Sequence, residues 1–381
     1  MRIVIAPDSF KESLSAAQVA QAIARGVLNV LPDADVRCVP MADGGEGSLD
    51  AILAATDGQR CQARVHDANG HHCLADWGLL DDHTAFIEMA TAAGLERIPV
   101  PARDPRSATS FGVGELIIQA LDAGARTIVL GLGGSATNDA GAGLFQALGG
   151  RLLDAGNREL APGGAALIHL QGLDTSCLDA RLGGVQFKIA VDVSNPLCGP
   201  HGASHIFGPQ KGASPEIVQE LDTALGHFAD VIARHTGHDF RNMPGMGAAG
   251  GLALPVRSFM QAVFQPGVEL IAGISGLDAH IQHADLVITG EGRMDAQTLS
   301  GKTPVGVARI ARKHNVPVLA LAGSLGTGYQ ALYAAGIDAA FSLAPGPVTL
   351  EHAMANAAMY LEHRTTDCIR LWLLGHRRGN M

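Results

Sequence analysis

Six short apolar runs, each followed by a polar or glycine-rich segment, constrain the fold of this chain more than any other feature. The runs cover residues 2–6, 127–130, 187–191, 285–289, 316–320 and 339–343. They are continuously apolar rather than alternating, and helical patterns follow most of them, which is typical of parallel strands buried on both faces of a sheet. In such sheets the loops at the carboxyl ends of the strands line the ligand crevice. We therefore expect the functional residues in these loops.

A second region has a different pattern. Residues 60–80 alternate apolar and polar side chains around the turn Asp67-Ala-Asn-Gly70, which predicts a hairpin, and residues 84–89 predict a further strand. A chain of 381 residues is also long for one hydrophobic core.

The predicted fold class is therefore α/β with two lobes. One lobe is a Rossmann-like or flavodoxin-like parallel sheet flanked by helices, and the other is a second α/β lobe that contains antiparallel strands. The active site is expected in the interlobe cleft. Residues 1–58 and 285–381 are assigned to the parallel lobe and residues 59–284 to the inserted lobe.

Composition excludes several classes of partner. Hydrophobic residues make up 47% of the chain and charged residues 17%, as in a packed globular protein. A net charge of −10 argues against nucleic acid and against an acidic membrane surface, and no apolar stretch reaches transmembrane length. The six cysteines form no CxxC pair, and the chain starts with a strand pattern rather than a signal peptide. We expect a cytoplasmic protein without nucleic-acid or membrane partners.

The segment 131–139, GLGGSATND, combines glycines with many hydrogen-bonding side chains. A glycine-rich turn that leads into a helix presents backbone N–H groups and a positive dipole end to an anion. The same polar side chains would also serve as helix caps without any ligand. Residues 131–136 further match G-x-G-x-x-A, with Asp154 about twenty residues on, so a nicotinamide-dependent oxidoreductase stays open as an alternative. The candidate binding residues here are Gly133, Gly134, Ser135, Thr137, Asn138 and Asp139.

The segment 290–302 contains two cations and two carboxylates in a predicted loop. Its candidate residues are Gly290, Glu291, Gly292, Arg293, Asp295 and Lys302. The P-loop pattern fails, because position 296 is Ala where glycine is required. The charged groups would clamp a phosphate together with Mg²⁺, and the alternative is a salt-bridged surface loop.

Three shorter segments also follow apolar runs. Asp8, Ser9 and Lys11 follow the first run, where the lysine would neutralise a phosphoryl group or hold a carboxylate. Gly44 and Gly45 separate Asp43 from Glu46, and two carboxylates so placed indicate metal or hydroxyl binding, because burying them unpaired is costly. Asp192, followed by Asn195, ends a strand and would be a general base or a metal ligand. Lys211, a single lysine in a glycine turn, is expected to be solvated.

These loops supply cations, carboxylates and free amides, but no nucleophilic triad and no GxSxG motif. Phosphoryl transfer depends mainly on positioning and charge neutralisation, so the residues fit that reaction best.

Six blocks carry a close family resemblance. They are APDSFKESLS (6–15), PMADGGEG (40–47), GLGGSATNDAGAG (131–143), DVSNPLCGPHGASHIFGPQKGA (192–213), GMGAAGGLA (245–253) and ITGEGRMDAQTLSGKTPVGVA (288–308). In this order and spacing the chain resembles the bacterial class I glycerate kinases over residues 2 to about 345.

The resemblance implies ATP- and Mg²⁺-dependent phosphorylation of D-glycerate to 2-phospho-D-glycerate, with 3-kinase regiochemistry as an alternative. It also implies a role in the breakdown of glycolate, glyoxylate, glucarate or galactarate, and it leaves a homodimer open. A non-enzymatic protein that binds small acids is a third hypothesis, which the clustered carboxylates do not favour.

Under the resemblance we assign roles as hypotheses. Asp192 would be the general base for the glycerate hydroxyl, and Lys11, Arg293 and Lys302 would neutralise charge. The metal ligands would be Asp43, Glu46 and Asp295. The residues that would bind nucleotide or substrate are Asp8, Ser9, Gly44, Gly45, Gly133, Gly134, Ser135, Thr137, Asn138, Asp139, Asn195, Gly290 and Gly292.

Overall fold

A computed structural model describes residues 1–80 and 83–379, with thirteen strands and thirteen α-helices in that part of the chain. The strands are β1 Arg2–Ile5, β2 Asp35–Cys38, β3 Gln59–His66, β4 His72–Leu79, β5 Thr84–Glu88, β6 Thr127–Gly131, β7 Arg151–Leu153, β8 Gly172–Asp174, β9 Gln186–Ala190, β10 Gln261–Gln265, β11 Leu286–Met294, β12 Val318–Leu325 and β13 Ala339–Ser342. The helices are α1 Ala16–Leu28, α2 Ser48–Ala55, α3 Ala90–Ala93, α4 Phe111–Asp122, α5 Ala142–Ala147, α6 Ala203–Phe207, α7 Pro215–Thr236, α8 Ala253–Phe259, α9 Gly267–Ile274, α10 Leu277–Ile281, α11 Thr303–Lys313, α12 Leu350–Ala355 and α13 Ala357–Gly379.

The chain forms two compact units. The first unit comprises residues 1–43, 50–57 and those from 266 onward, and the second comprises residues 44–49 and 58–265. The domain boundaries predicted from the sequence stay a prediction. In the structure, α9 and α10 pack on α11 and belong to the first unit.

The first unit contains a five-stranded sheet in the order β13-β12-β11-β1-β2, and every pairing is parallel. The apolar strands β1, β11 and β12 are largely buried, as the sequence pattern predicts, whereas the edge strands β2 and β13 are half-buried or exposed. Helix α1 begins at a capping box between Ser15 and Gln18 and packs on α13. At the closest point, a side chain on Gly26 would meet the backbone oxygen of Glu362 at 2.5 Å, so glycine permits this packing.

The second unit contains a six-stranded sheet in the order β10-β9-β6-β5-β4-β3. Strands β5, β6, β9 and β10 are parallel, and the predicted hairpin β3–β4 adds two antiparallel strands at one edge. A separate antiparallel pair is formed by β7 and β8. The predicted α/β class, with a parallel sheet in one unit and antiparallel strands in the other, is confirmed.

Strand β11 is longer than the sequence predicts. Residues 290–294, expected to be a loop, continue the parallel pairing with β12 as far as Met294 and Leu325. Glycine makes this possible: a side chain on Gly290 would lie 2.1 Å from the Leu321 oxygen, and one on Gly323 would lie 2.5 Å from the Gly292 oxygen. No helix in the described part of the chain is long and apolar enough to cross a membrane.

Candidate functional site

Three neighbouring strands of the second unit bring predicted site residues to one edge of the sheet. Glu88 of β5 lies opposite Gly131 of β6, which in turn lies opposite Ala190 of β9. Because the three strands are parallel, the segment 131–139 and Asp192 leave the sheet at the same edge. The prediction that the carboxyl ends carry the polar segments therefore matches the topology of this unit.

The segment 131–134 packs directly on the predicted block around Gly44 and Gly45. A side chain on Gly131 would lie 2.8 Å from the Gly44 oxygen, and one on Gly133 would lie 2.5 Å from the Gly45 Cα atom. These contacts are possible only for glycine, so the two blocks meet backbone to backbone. Glu88, which the sequence analysis did not single out, holds the same block because its carboxylate accepts a 2.6 Å hydrogen bond from the Leu49 amide.

The turn formed by residues 133–138 has unused hydrogen-bonding groups. Within residues 1–80 and 83–379, the backbone N–H groups of Gly133, Gly134 and Ser135 have no acceptor. Thr137 Oγ1 and Asn138 Oδ1 are buried and also lack a partner in that part of the chain. Buried polar groups without partners are costly, so such a group in a folded protein requires an explanation. Gly133 is half-buried and Gly134 is exposed, so a bound anion would reach their N–H donors, whereas the Asn138 oxygen is itself an acceptor and requires a donor instead.

Asp139 has a different environment from the rest of the segment. Its carboxylate is fully buried and accepts hydrogen bonds from the Ser110 amide and hydroxyl (both 2.8 Å) and from the amides of Gly141 (3.1 Å) and Gly143 (3.2 Å). Burial raises the pKa of Asp139, and the donated hydrogen bonds oppose that rise. The carboxylate therefore occupies the N-terminus of α5.

This arrangement corrects the expectation that the positive dipole end of the following helix faces an anion. Helix α5 begins only at Ala142, six residues after Ala136, and Asp139 already interacts with its positive end. The positive end of the α5 dipole is therefore not available to a ligand. Asp154, the acidic residue of the dinucleotide pattern, closes its own turn by accepting from the amides of Gly156 and Arg158. The oxidoreductase alternative gains no support from this geometry.

Lys211 is the main site residue that the sequence analysis misjudged. It was expected to be solvated, but it is 1% exposed, and that expectation is wrong. Its ammonium group donates to Ser135 Oγ (2.9 Å) and to the Thr137 carbonyl oxygen (2.6 Å). Nothing in the isolated pattern around this lysine indicates burial, because its partners lie more than seventy residues earlier in the chain.

Asp192 and Asn195 lie in the segment that follows β9. Asp192 is exposed. Asn195 uses its side-chain amide to close a local turn on the His201 oxygen (2.8 Å), and its own carbonyl accepts from the Gly247 amide (2.9 Å). The structure thus fixes the backbone beside Asp192 and gives the Asn195 side chain a structural partner.

The first unit also gathers predicted residues at one edge of its sheet. The Asp8 amide donates to the Gly290 oxygen (2.8 Å) and the Met41 amide to the Pro7 oxygen (2.9 Å). Residues after β1, residues after β2 and the distal half of β11 therefore lie side by side. Part of this arrangement was predictable from the sequence, since two of the segments follow the apolar runs 2–6 and 285–289 and Asp43 follows the apolar residues 39–42.

Asp8 is the most perturbed acid of this edge. Its carboxylate accepts from Thr303 Oγ1 (2.6 Å) and from the Ser9 amide (2.6 Å). Burial and the nearby Asp43 carboxylate raise the pKa of Asp8 to about 7, with a smaller contribution from Glu291. Because the negative charges of these neighbouring carboxylates repel one another, a bound cation would stabilise the site.

Glu291 and Lys302 form an ion pair in the same cluster. Glu291 is buried and accepts from Thr298 Oγ1 (2.6 Å) and from the Lys302 ammonium (3.2 Å). Burial raises the pKa of Glu291, and the two donors oppose that rise. Lys302 is held at the N-cap position of α11, where Pro304 fixes the first turn.

The other predicted residues of this unit lie towards the surface. Arg293 is 69% exposed along its side chain and pairs with Asp295 (3.1 Å). Asp295 also caps the short 3₁₀ helix 296–300 through a capping box with Thr298. Lys11 is exposed in a tight turn between Phe10 and Leu14.

No group of three His, Cys, Asp or Glu side chains in the described part of the chain is arranged to hold a metal ion. The predicted metal ligands Asp43, Glu46 and Asp295 therefore do not form a preassembled three-ligand site.

Comparison with known proteins decides the family. The model of the glycerate kinase family matches residues 3–373. The chain belongs to the glycerate kinase family. The resemblance seen in the six sequence blocks is thereby confirmed.

Individual relatives agree with this assignment over nearly the whole chain. The chain is 49% identical to a glycerate kinase of Bacillus subtilis, with 96% of each chain covered. It is also 49% identical to a glycerate 2-kinase of Escherichia coli, with 94% of each covered. A crystal structure of a glycerate kinase 2 candidate from Salmonella typhimurium LT2 superimposes with a TM-score of 0.90 at 47% identity, covering 99% of both chains.

Proposed function

We propose that this protein transfers the γ-phosphoryl group of ATP to the 2-hydroxyl group of D-glycerate, with Mg²⁺ as cofactor. The observation that carries the proposal is the 49% identity to the Escherichia coli relative named glycerate 2-kinase, over 94% of both chains.

The acid and base groups of the first unit support a phosphoryl-transfer role. Such reactions are catalysed largely by fixed positive charge around the transferred group. We assign Lys302, Arg293 and Lys11 to neutralise charge on the phosphoryl group or on the substrate carboxylate. The Lys302 ammonium group is held by the buried carboxylate of Glu291.

The same unit offers oxygen ligands that suit Mg²⁺. This ion keeps several waters and commonly takes only one or two protein carboxylates together with substrate phosphates, so a three-ligand cluster is not required. We propose Asp43, next to the perturbed carboxylate of Asp8, as a ligand. Asp295 of the same unit and Glu46, which belongs to the second unit, are also proposed as ligands. Bound Mg²⁺ would neutralise charge on phosphate oxygens.

The second unit would supply the groups that bind an anion and accept a proton. We assign the unpaired N–H groups of the turn 133–138 to an anion of the nucleotide or of glycerate. Asp192, at the carboxyl end of β9, is the proposed general base for the glycerate hydroxyl group.

The ³¹P NMR spectrum of the product tests both activity and regiochemistry. The protein is incubated with D-glycerate, ATP and Mg²⁺, and the proton-coupled ³¹P signal of the new ester is recorded. Phosphate on C2 couples to a single proton and gives a doublet, whereas phosphate on C3 couples to two protons and gives a triplet. A triplet would establish 3-kinase regiochemistry, and the absence of any new ester would contradict the proposed activity.

The proposal extends to context. We propose a cytoplasmic location and a role in glyoxylate metabolism, as the family resemblance implies. A homodimer is part of the same proposal, and light scattering after size-exclusion chromatography would test it directly by giving the mass in solution.

A further inference from the structure

The side chain of Lys211 connects two parts of the turn 133–138. Its ammonium group donates to Ser135 Oγ at 2.9 Å and to the Thr137 carbonyl oxygen at 2.6 Å, in a place where the lysine is 1% exposed. Both acceptors belong to the turn that also carries the unpaired N–H groups of Gly133, Gly134 and Ser135. A single buried cation thus fixes the backbone on which those donors are mounted.

The charge of Lys211 has no direct counter-ion in the described part of the chain. Asp139 is the acid whose charge acts on it, but the Asp139 oxygens accept hydrogen bonds from Ser110, Gly141 and Gly143 instead. Burial consequently lowers the pKa of Lys211 to about 7. An oxyanion held at the turn would supply the missing negative charge and would favour the ammonium form.

Two glycines also pack closely against the backbone of the turn. A side chain on Gly250, whose φ is +67°, would lie 2.2 Å from the Thr137 oxygen, and one on Gly164 would lie 2.1 Å from the Asn138 oxygen. At both glycines the absence of a side chain lets two backbone segments pack in direct contact. The turn is therefore contacted closely by these glycine backbones as well as by the lysine.

We propose that Lys211 is a positioning residue that holds the turn 133–138 so that its free N–H groups bind one oxyanion of a substrate. That oxyanion is either a phosphate group of the nucleotide or the carboxylate of the hydroxy acid. The inference rests on the proposed function, because both anions are substrates of that reaction. Lys211 acts through Ser135 and Thr137 and does not itself contact the reacting atoms.

The test compares steady-state kinetics of the full-length protein and three variants. Lys211→Met removes the donors at similar length, Ser135→Ala removes one acceptor and keeps the lysine, and Lys313→Met is the matched control at an exposed position on α11. Values of kcat and KM are measured separately for MgATP and for D-glycerate. Circular dichroism and thermal unfolding establish that each variant is folded.

We expect Lys211→Met to raise one of the two KM values about tenfold to hundredfold, the effect of losing charge-assisted hydrogen bonds, and to leave the other near its wild-type value. A rise for MgATP identifies a phosphate group at the turn, and a rise for D-glycerate identifies the carboxylate. Ser135→Ala should raise the same KM by a smaller factor. Lys313→Met should behave as wild type.

Two results would overturn the inference. One is a folded Lys211→Met variant with both KM values unchanged, including a variant that loses only kcat. If Lys211→Met does not fold, the Ser135→Ala variant decides instead. The inference is then overturned when Ser135→Ala leaves both KM values unchanged. A wild-type protein that forms no phosphoglycerate would contradict the proposed function itself, whereas an active wild type with unaltered variants contradicts only the role of Lys211.

Discussion

The buried carboxylate of Asp139 gives the sharpest test of how this site is built. It accepts four hydrogen bonds, three of them from the backbone N–H groups of Ser110, Gly141 and Gly143. Asp139→Ala removes every acceptor at once. Because the residue is fully buried, water does not replace the carboxylate without opening the surrounding core.

The expected loss follows from these contacts. A buried donor without a partner costs about 1–3 kcal/mol, so three backbone donors correspond to roughly 3–9 kcal/mol. The raised pKa of Asp139 indicates that burying its negative charge is itself unfavourable. Removing that charge therefore offsets part of the loss. We therefore expect the lower part of the range, about 3–5 kcal/mol of unfolding free energy.

Tryptophan fluorescence can report on the second unit alone. The chain contains two tryptophans, Trp77 in β4 of the second unit and Trp372 in α13 of the first. In a Trp372→Phe background, the emission of Trp77 follows unfolding of the unit that contains Asp139. Equilibrium unfolding in urea then gives the free energy of unfolding and its dependence on denaturant.

Asp154→Ala is the matched control in the same unit. Asp154 also accepts from two backbone amides and from an arginine, but it lies at the surface, where water replaces the lost acceptor. Its substitution should therefore cost much less than Asp139→Ala. If the two variants lose similar stability, burial does not set the cost of removing the carboxylate, and the structural role assigned to Asp139 is refuted.

Three further predictions concern catalysis, backbone packing and pH. Asp192→Asn should lower kcat by about 10³-fold while ATP still binds in calorimetry, and near-normal turnover would remove Asp192 from the role of base. Gly133→Ala, whose new methyl group would lie 2.5 Å from Gly45, should lower kcat/KM by about 100-fold through displacement of the turn, whereas Gly183→Ala, with open space around it, should match wild type. Lys211 has a folded pKa of about 7, below its unfolded value, so the unfolded chain binds more protons above pH 7. Between pH 7.5 and 9.5, wild-type stability should therefore rise relative to Lys211→Met by up to about 1.4 kcal/mol per pH unit, and equal slopes in urea titrations would contradict the lowered pKa.

Most strands of the two main sheets were predictable because a strand depends on local pattern, although β2 and β10 were not predicted. A buried parallel strand has a continuously apolar sequence. The carboxyl ends of parallel strands lie at one edge of the sheet. This placed Asp8 and Glu291 on one edge and the segment 131–139 and Asp192 on another. The length of β11 was not predictable, since polar residues such as Glu291 and Arg293 pair with β12 only because Gly290 and Gly323 allow the backbones to approach.

Burial of individual charges was not predictable, because it is set by parts of the chain that are distant in sequence. Lys211 and Asp139 each lie in a short glycine-rich segment that is usually solvent-exposed. Asp139 is enclosed by the backbone around Ser110, and Lys211 is enclosed by the turn it supports. Once both are buried, neither charge directly neutralises the other, since Asp139 is committed to α5. The second unit therefore contains a lysine without a direct counter-ion next to a turn with unpaired N–H donors. A site for one oxyanion requires both of these properties.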